Sequence, residues 1–233
     1  MTRISHSVHA LAATAALLLP LSPAVAQEHT ADEILSHMTA AAEATEDATF
    51  VLTGRLIDAD GTSIALEIDL EVIPDAEVAR ATFHQPDALA DNIVVFSDDA
   101  VYNYLFLTNQ VTIFAADDPD ALGGFLGEAE DESSFFLTLD LEELFAGWEV
   151  EVVGYEEGEY RLRFSNIDEA ASLREALVRV EEGTWVPGEL ILIEADGRTL
   201  AELFVADYRP DTGLTVEDVT WLPEDAEVID ERD

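Results

Sequence analysis

Apolar and polar residues alternate most regularly along the stretch from position 64 to position 72. Apolar side chains occupy every second position, and acidic side chains fill most of the positions between them. The apolar set is Ile64, Leu66, Ile68, Leu70 and Val72. Because successive side chains of a strand point to opposite faces, this pattern predicts a β-strand in a sheet with one dry and one wet face.

A preceding strand around Phe50–Leu56 and the dipeptide Asp60-Gly61 predict a hairpin with that strand. Asp58, Asp60, Gly61 and Glu67 also fit four positions of a calcium-binding EF loop. Leu56 occupies the first ligand position of such a loop, and strands flank it on both sides. The hairpin is therefore the favoured interpretation.

Residues 80–114 contain short apolar runs separated by a Pro-Asp loop, an Asp-Asp turn and a Thr-Asn-Gln turn, which predicts consecutive antiparallel strands. Alternation resumes at Trp148, and Gly-containing turns follow at positions 157–158, 182–183 and 196–197. Residues 167–180 fit either a helix or the start of a strand.

Two segments depart from the strand pattern. Thr30 and Glu33 form a capping box before an amphipathic helix predicted from Ala31 to about Glu46. Residues 117–147 are apolar and interrupted by glycines, with a short helix predicted at Leu139–Ala146. This segment is predicted to cover the dry face of the sheet. The predicted fold is therefore mainly β (α+β): an incomplete antiparallel β-barrel with an N-terminal helix and a cover over an apolar interior.

The N-terminus has the features of a cleavable secretory signal. Arg3 precedes an apolar run at positions 10–19, and Ala24-Val25-Ala26 fits a small-x-small cleavage site. The run is shorter than the ~20 residues of a membrane span. We expect cleavage after Ala26, export, and a single domain over residues 27–233. The chain has no cysteine, so neither a disulfide nor lipidation on cysteine is expected.

Charge excludes one class of partner. The chain has 51 acidic residues against 10 basic ones, all arginine, and a net charge of −41. Such a chain repels nucleic acid and anionic lipid headgroups. The acids are spread along the whole chain, which favours adaptation to salty or alkaline surroundings over a dedicated site for a basic partner.

No motif in the sequence indicates catalysis. His29, His37 and His84 lack companions at metal-binding spacing, and no nucleophile elbow or zinc motif is present. Carboxylate pairs are so frequent that they indicate nothing about glycosidase chemistry. We expect no metal, no cofactor and no enzymatic activity.

Two blocks resemble a known family. Residues 76–114 and the closing segment 215–230, with Val219-Thr220-Trp221-Leu222-Pro223, are similar to the LolA-like periplasmic carriers of outer-membrane lipoproteins. The resemblance implies a half-open barrel that binds lipoprotein acyl chains beneath a lid, an inner-membrane donor and an outer-membrane acceptor. We also expect a monomer without stable membrane insertion. Ile73 stands where family members often have an arginine before the proline. Arg80 lies at another position and does not inherit that role.

From the strand parity and this resemblance, we expect the following residues to line the cavity and its lid: Phe50, Leu52, Leu66, Ile68, Leu70, Phe83, Tyr102, Tyr104, Phe125, Phe135 and Phe136. Three alternatives remain. They are a periplasmic lipid- or lipoprotein-sensing domain of the same fold, an exported enzyme acting on an apolar substrate, and an envelope-binding module without lipid cargo.

Added salt is predicted to stabilise the fold. Loss of residues 1–26, which hold one arginine and no acid, leaves the chain one unit more negative than −41. Self-repulsion of the compact state is relieved when the Debye length falls from ~10 Å at 0.1 M salt to ~3 Å at 1 M. Thermal melts in sodium chloride at fixed pH measure the effect. A midpoint that is flat or falls over this range contradicts a surface dominated by charge repulsion.

Overall fold

The structure is a computed structural model that describes residues 29–116, 118, 121, 145–168 and 171–232. It contains helices α1 (Ala31–Glu43) and α2 (Val216–Thr220) and a 3₁₀ turn at Pro74–Ala76. The strands are β1 (Ala48–Ile57), β2 (Ser63–Ile73), β3 (Val78–Gln85), β4 (Ile93–Phe96), β5 (Ala100–Leu105), β6 (Gln110–Ala115), β7 (Glu149–Glu156), β8 (Glu159–Ser165), β9 (Leu173–Glu181), β10 (Pro187–Glu194), β11 (Thr199–Pro210) and β12 (Glu227–Asp230).

All twelve strands form one sheet in the order β12-β6-β5-β4-β3-β2-β1-β11-β10-β9-β8-β7. Neighbouring strands are antiparallel except for β12, which pairs in parallel with β6. Within the described residues β12 and β7 stand at opposite ends of the sheet, so the barrel is incomplete. The predicted fold class is therefore confirmed.

The hairpin of β1 and β2 forms as predicted, with Gly61 at φ +84°. Its turn uses the acidic residues internally, since Asp58 exchanges backbone hydrogen bonds with Thr62 and Gly61, and the Asp60 carboxylate accepts the Thr62 N–H. β2 ends at Ile73, immediately before Pro74. The consecutive antiparallel strands predicted between residues 80 and 114 are also present, as β3 to β6.

Helix α1 begins at the predicted capping box, in which the Glu33 N–H donates to the Thr30 hydroxyl over 3.3 Å. It ends at Glu43 and not near Glu46. The reason is that the Glu46 N–H is already bound by the Asp211 carboxylate at 3.0 Å, where the chain turns into β1. The helix buries Ile34 and Met38 against the sheet.

The ambiguous segment 167–180 contains the strand β9, so the helical interpretation is wrong from residue 173 onward. Ala176, Val178 and Val180 are buried on one face and pair with β8 on one side and β10 on the other. Pairing with two neighbouring strands outweighs the helical composition of this segment. The short helix predicted at Leu139–Ala146 lies largely outside the described residues, as does most of the predicted cover.

We call the face that carries Leu66, Ile68 and Leu70 the inner face, and the opposite one the outer face. α1 packs its buried residues into the inner-face cluster. On the outer face, β4, β5 and β6 form a second apolar cluster that Leu222 and Ala226 cover. The outer face is therefore covered at the β4–β6 end of the sheet, whereas α1 lies on the inner face toward β7 and β8.

The C-terminal segment is fastened to the outer face by Arg80 of β3. Its guanidinium donates to the Trp221 carbonyl over 2.5 Å and lies 5.7 Å from the centre of the Trp221 ring. The Glu71 carboxylate lies 3.7 Å away. Arg80 therefore has a positioning role on the outer face, remote from the inner face.

Asp47 joins the start of β1 to the loop that follows β11. Its carboxylate accepts hydrogen bonds from the Thr212 N–H at 2.8 Å, the Thr212 hydroxyl at 2.5 Å and the Gly213 N–H at 2.9 Å. Only 4% of Asp47 is exposed. These hydrogen bonds, that of the Thr212 side chain foremost, hold the pKa of Asp47 below its usual range.

Asp47→Asn is predicted to lower the unfolding midpoint near neutral pH. The amide N–H₂ of the asparagine would face a backbone N–H that donates to the Asp47 carboxylate, and two donors form no hydrogen bond with each other. A depressed folded-state pKa gives stability that is fully present above the unfolded pKa of about 4 and is lost as pH falls through the lower folded value. Thermal melts between pH 3 and pH 7 check this. Asp98→Asn, which removes the same charge from an exposed turn residue, is the control. Equal midpoints for the two variants at neutral pH contradict the role of Asp47.

Candidate functional site

Six of the predicted cavity residues come together on the inner face. Register places Phe50 opposite Leu70 and Leu52 opposite Ile68 across β1 and β2, and Ile68 opposite Phe83 on β3. The structure leaves each of the six, Leu66 included, no more than 8% exposed. They form the centre of one apolar cluster that also receives α1.

The other half of the inner face comes from β8 and β9, which the cavity prediction omitted. Tyr160, Leu162 and Phe164 of β8 are at most 1% exposed, and their partners on β9 are equally buried. The sequence contains the signal for them, since these three alternate with Arg161 and Arg163. Alternation alone predicts the strand, while its position in the sheet decides that it shares a face with β2.

Tyr102 and Tyr104 do not join this group. Tyr102 pairs with Val95 and Tyr104 with Ile93, so both tyrosines lie on the outer face in the second cluster. The inner-face positions of β5 belong to Val101 and Asn103. Phe125, Phe135 and Phe136 lie outside the described residues.

Charged side chains gather on the outer face. Arg163 bridges Glu151 at 2.9 Å and Glu175 at 3.2 Å, and Arg179 lies between Glu159 and Glu189 in the same way. These cross-strand pairs occupy positions between the buried residues of β8 and β9. Both arginines thereby neutralise acids on the outer face of the sheet.

Few of the buried residues in the described part of the chain are polar or charged. Asp47, Asn92 and Asn103 are the only polar or charged residues that are buried in the described part of the chain. Of these, only Asn103 occupies an inner-face strand position, opposite Val94 and Thr112. The centre of the inner face is otherwise an apolar surface extending from β3 to β8.

Aromatic contacts hold α1 over the β8 end of this surface. The His37 ring stacks on Trp185 with 4.4 Å between centroids and 15° between planes. His29 contacts the same Trp185 edge-on at 5.4 Å, and Tyr160 lies 6.0 Å from it. Both histidines therefore have packing roles, and the ring contacts add to the burial of Ile34 and Met38 in attaching α1.

His84 pairs with Asp69 on the outer face at 2.8 Å. The described residues contain no group of three or more metal-binding side chains. Among the described helices, none has the length and apolar character needed to cross a membrane. What the inner face offers chemically is apolar contact.

Comparisons with known proteins find similarity to solved structures only at the level of the fold. No family model and no curated protein matches the chain. A solved structure of an uncharacterized conserved protein from Thermus thermophilus is similar over 86% of this chain and 98% of its own, with 20% identity and a TM-score of 0.60.

Two further structures are similar at lower scores. A putative outer membrane lipoprotein-sorting protein domain from Vibrio parahaemolyticus has 15% identity, covers 81% of this chain and 95% of its own, and has a TM-score of 0.47. A LolA superfamily protein from Nitrosomonas europaea has 11% identity, covers 83% and 98%, and has a TM-score of 0.39.

At 20% identity, the structure from Thermus thermophilus shows shared architecture alone. The described residues have the features that the sequence resemblance implied, namely an open antiparallel sheet with an N-terminal helix on its apolar face. The chain therefore has the open-sheet fold that its resemblance to the LolA-like carriers implied.

Proposed function

We propose that this protein is a periplasmic carrier that binds the acyl chains of lipoproteins on its inner face and delivers them toward the outer membrane. The observation that carries the proposal is the separation of the two faces. Apolar side chains extend without a charged residue across the centre of the inner face from Phe83 to Leu162, whereas arginine–glutamate pairs lie on the outer face.

Apolar contact alone supplies enough free energy for such binding. Each methylene removed from water gains ~0.8 kcal/mol, so one long acyl chain gains on the order of 10 kcal/mol before ordering costs. No reaction is needed to hold or release this cargo. The carrier is accordingly proposed to be non-enzymatic and to require no cofactor.

Binding requires that the groups packed over the inner face move. Leu66, Leu162 and Val178 are at most 4% exposed, so acyl chains reach them only when packed groups shift. Among the described elements on the inner face, α1 is the one that moves in this proposal, because it contributes only Ile34 and Met38 as buried residues. A short helix held by two buried side chains and ring stacking separates at lower cost than a strand in the sheet.

Export and exchange complete the proposal. Residues 1–26 direct the chain to the periplasm, where a monomer receives cargo from an inner-membrane donor and passes it to an outer-membrane acceptor. The negative charge repels anionic headgroups, so the carrier does not remain on the membrane surface.

Leu66→Glu is predicted to weaken binding of an acylated lipoprotein by at least tenfold, because the carboxylate must lose its hydration or hold water where acyl chains lie. Ala65→Glu is the matched control. It adds the same charge one residue away, at an exposed outer-face position, and should change the affinity less than twofold. Fluorescence titration measures binding, and circular dichroism establishes that both variants are folded.

A second binding measurement uses the wild-type protein and depends on no variant. It should bind the acylated lipoprotein and ignore the same lipoprotein without its acyl chains. Equal affinity for the two forms contradicts the carrier function, and so does equal weakening by Leu66→Glu and Ala65→Glu.

A further inference from the structure

Asn103 is a polar exception on the inner face. It occupies β5, opposite Val94 on β4 and Thr112 on β6, and only 6% of it is exposed. Its neighbours in the inner-face cluster include Val94, Val101 and Ala121. A buried amide in an apolar cluster is costly unless its donors and acceptors are used.

Only one end of the Asn103 amide is used. The Nδ2 group donates a hydrogen bond to the Ala121 carbonyl. The Oδ1 atom is buried and accepts no hydrogen bond, even though the Thr112 hydroxyl belongs to the residue directly across on β6. Reversing the amide does not remove the problem, because it would place Oδ1 against the Ala121 carbonyl oxygen.

We propose that Oδ1 of Asn103 is a recognition point for a hydrogen-bond donor on the bound lipid. This inference rests on the proposed acyl-binding function of the inner face. A carbonyl oxygen accepts from an amide N–H or a hydroxyl and gains nothing from an ester, which has only acceptors. The preferred cargo is therefore an acyl lipid with an amide link or a hydroxyl group, in preference to a plain ester.

Two probes of equal chain length separate this inference from simple apolar binding. N-methylpalmitamide carries one N–H, and methyl palmitate carries none. The quantity to measure is the ratio of their affinities, because apolar contact contributes equally to both. Asn103→Leu should reduce the amide-to-ester affinity ratio about three- to tenfold relative to wild type, as expected for the loss of one buried hydrogen bond. Binding of methyl palmitate should remain.

Thr112→Val is the matched control. It removes the neighbouring inner-face hydroxyl and should leave the ratio within twofold of the wild-type value. Methyl 2-hydroxypalmitate tests whether Asn103 accepts from a hydroxyl as well as from an amide N–H. If it does, Asn103→Leu should also lower the affinity for methyl 2-hydroxypalmitate relative to that for methyl palmitate.

A second measurement uses the wild-type protein and does not depend on the folding of a variant. The side-chain N–H₂ signals of Asn103 in ¹⁵N spectra should shift with N-methylpalmitamide and change little with methyl palmitate. An affinity ratio unchanged by Asn103→Leu, or side-chain shifts that are equal for the two probes, overturns the assignment of Asn103 alone. Failure of wild type to bind either probe overturns the acyl-binding function itself.

Discussion

The constraint on which the rest of the structure depends is the strict separation of the two faces of the sheet in β2 and β8. In the middle of both strands every second residue is buried, and the positions between carry charge. A shift of one residue in the pairing of either strand would place glutamates or arginines in the apolar cluster. The position of α1, the outer-face ion pairs and the candidate site all follow from this register.

Extreme negative charge is compatible with the fold because the central strands keep their charged side chains off the inner face. Arg55, Arg163 and Arg179 each bridge a glutamate on a neighbouring strand. Individual surface pairs of this kind contribute little, typically below ~1 kcal/mol. These ion pairs matter here because of where they lie. They lower the repulsion between acidic side chains on neighbouring strands. Acids at exposed positions such as Asp98 are left in water, where salt screens them.

The sequence predicted the fold where alternation was unambiguous, as in β2, and the shared inner-face position of the candidate residues on β1 to β3 followed from it. It misplaced Tyr102 and Tyr104 for a physical reason. β5 is buried on both faces, because the C-terminal segment near Leu222 covers the outer one, so alternation cannot show which face is inner. The contribution of β8 to the inner face depends on the order of the strands in the sheet. The role of Asn103 depends on one oxygen atom that accepts no hydrogen bond. A pattern along the chain contains neither kind of information.

The most direct test of the account uses a stearic acid that carries a nitroxide near its methyl end, added to protein with ¹³C-labelled methyl groups. The nitroxide broadens the signals of methyl groups near it. An acyl-binding inner face predicts broadening of inner-face methyls such as Leu66, Leu162 and Val178, and sharp signals from the outer-face methyls of Val95 and Val111. Broadening confined to the outer cluster, or none at saturating probe, would contradict an acyl-binding inner face.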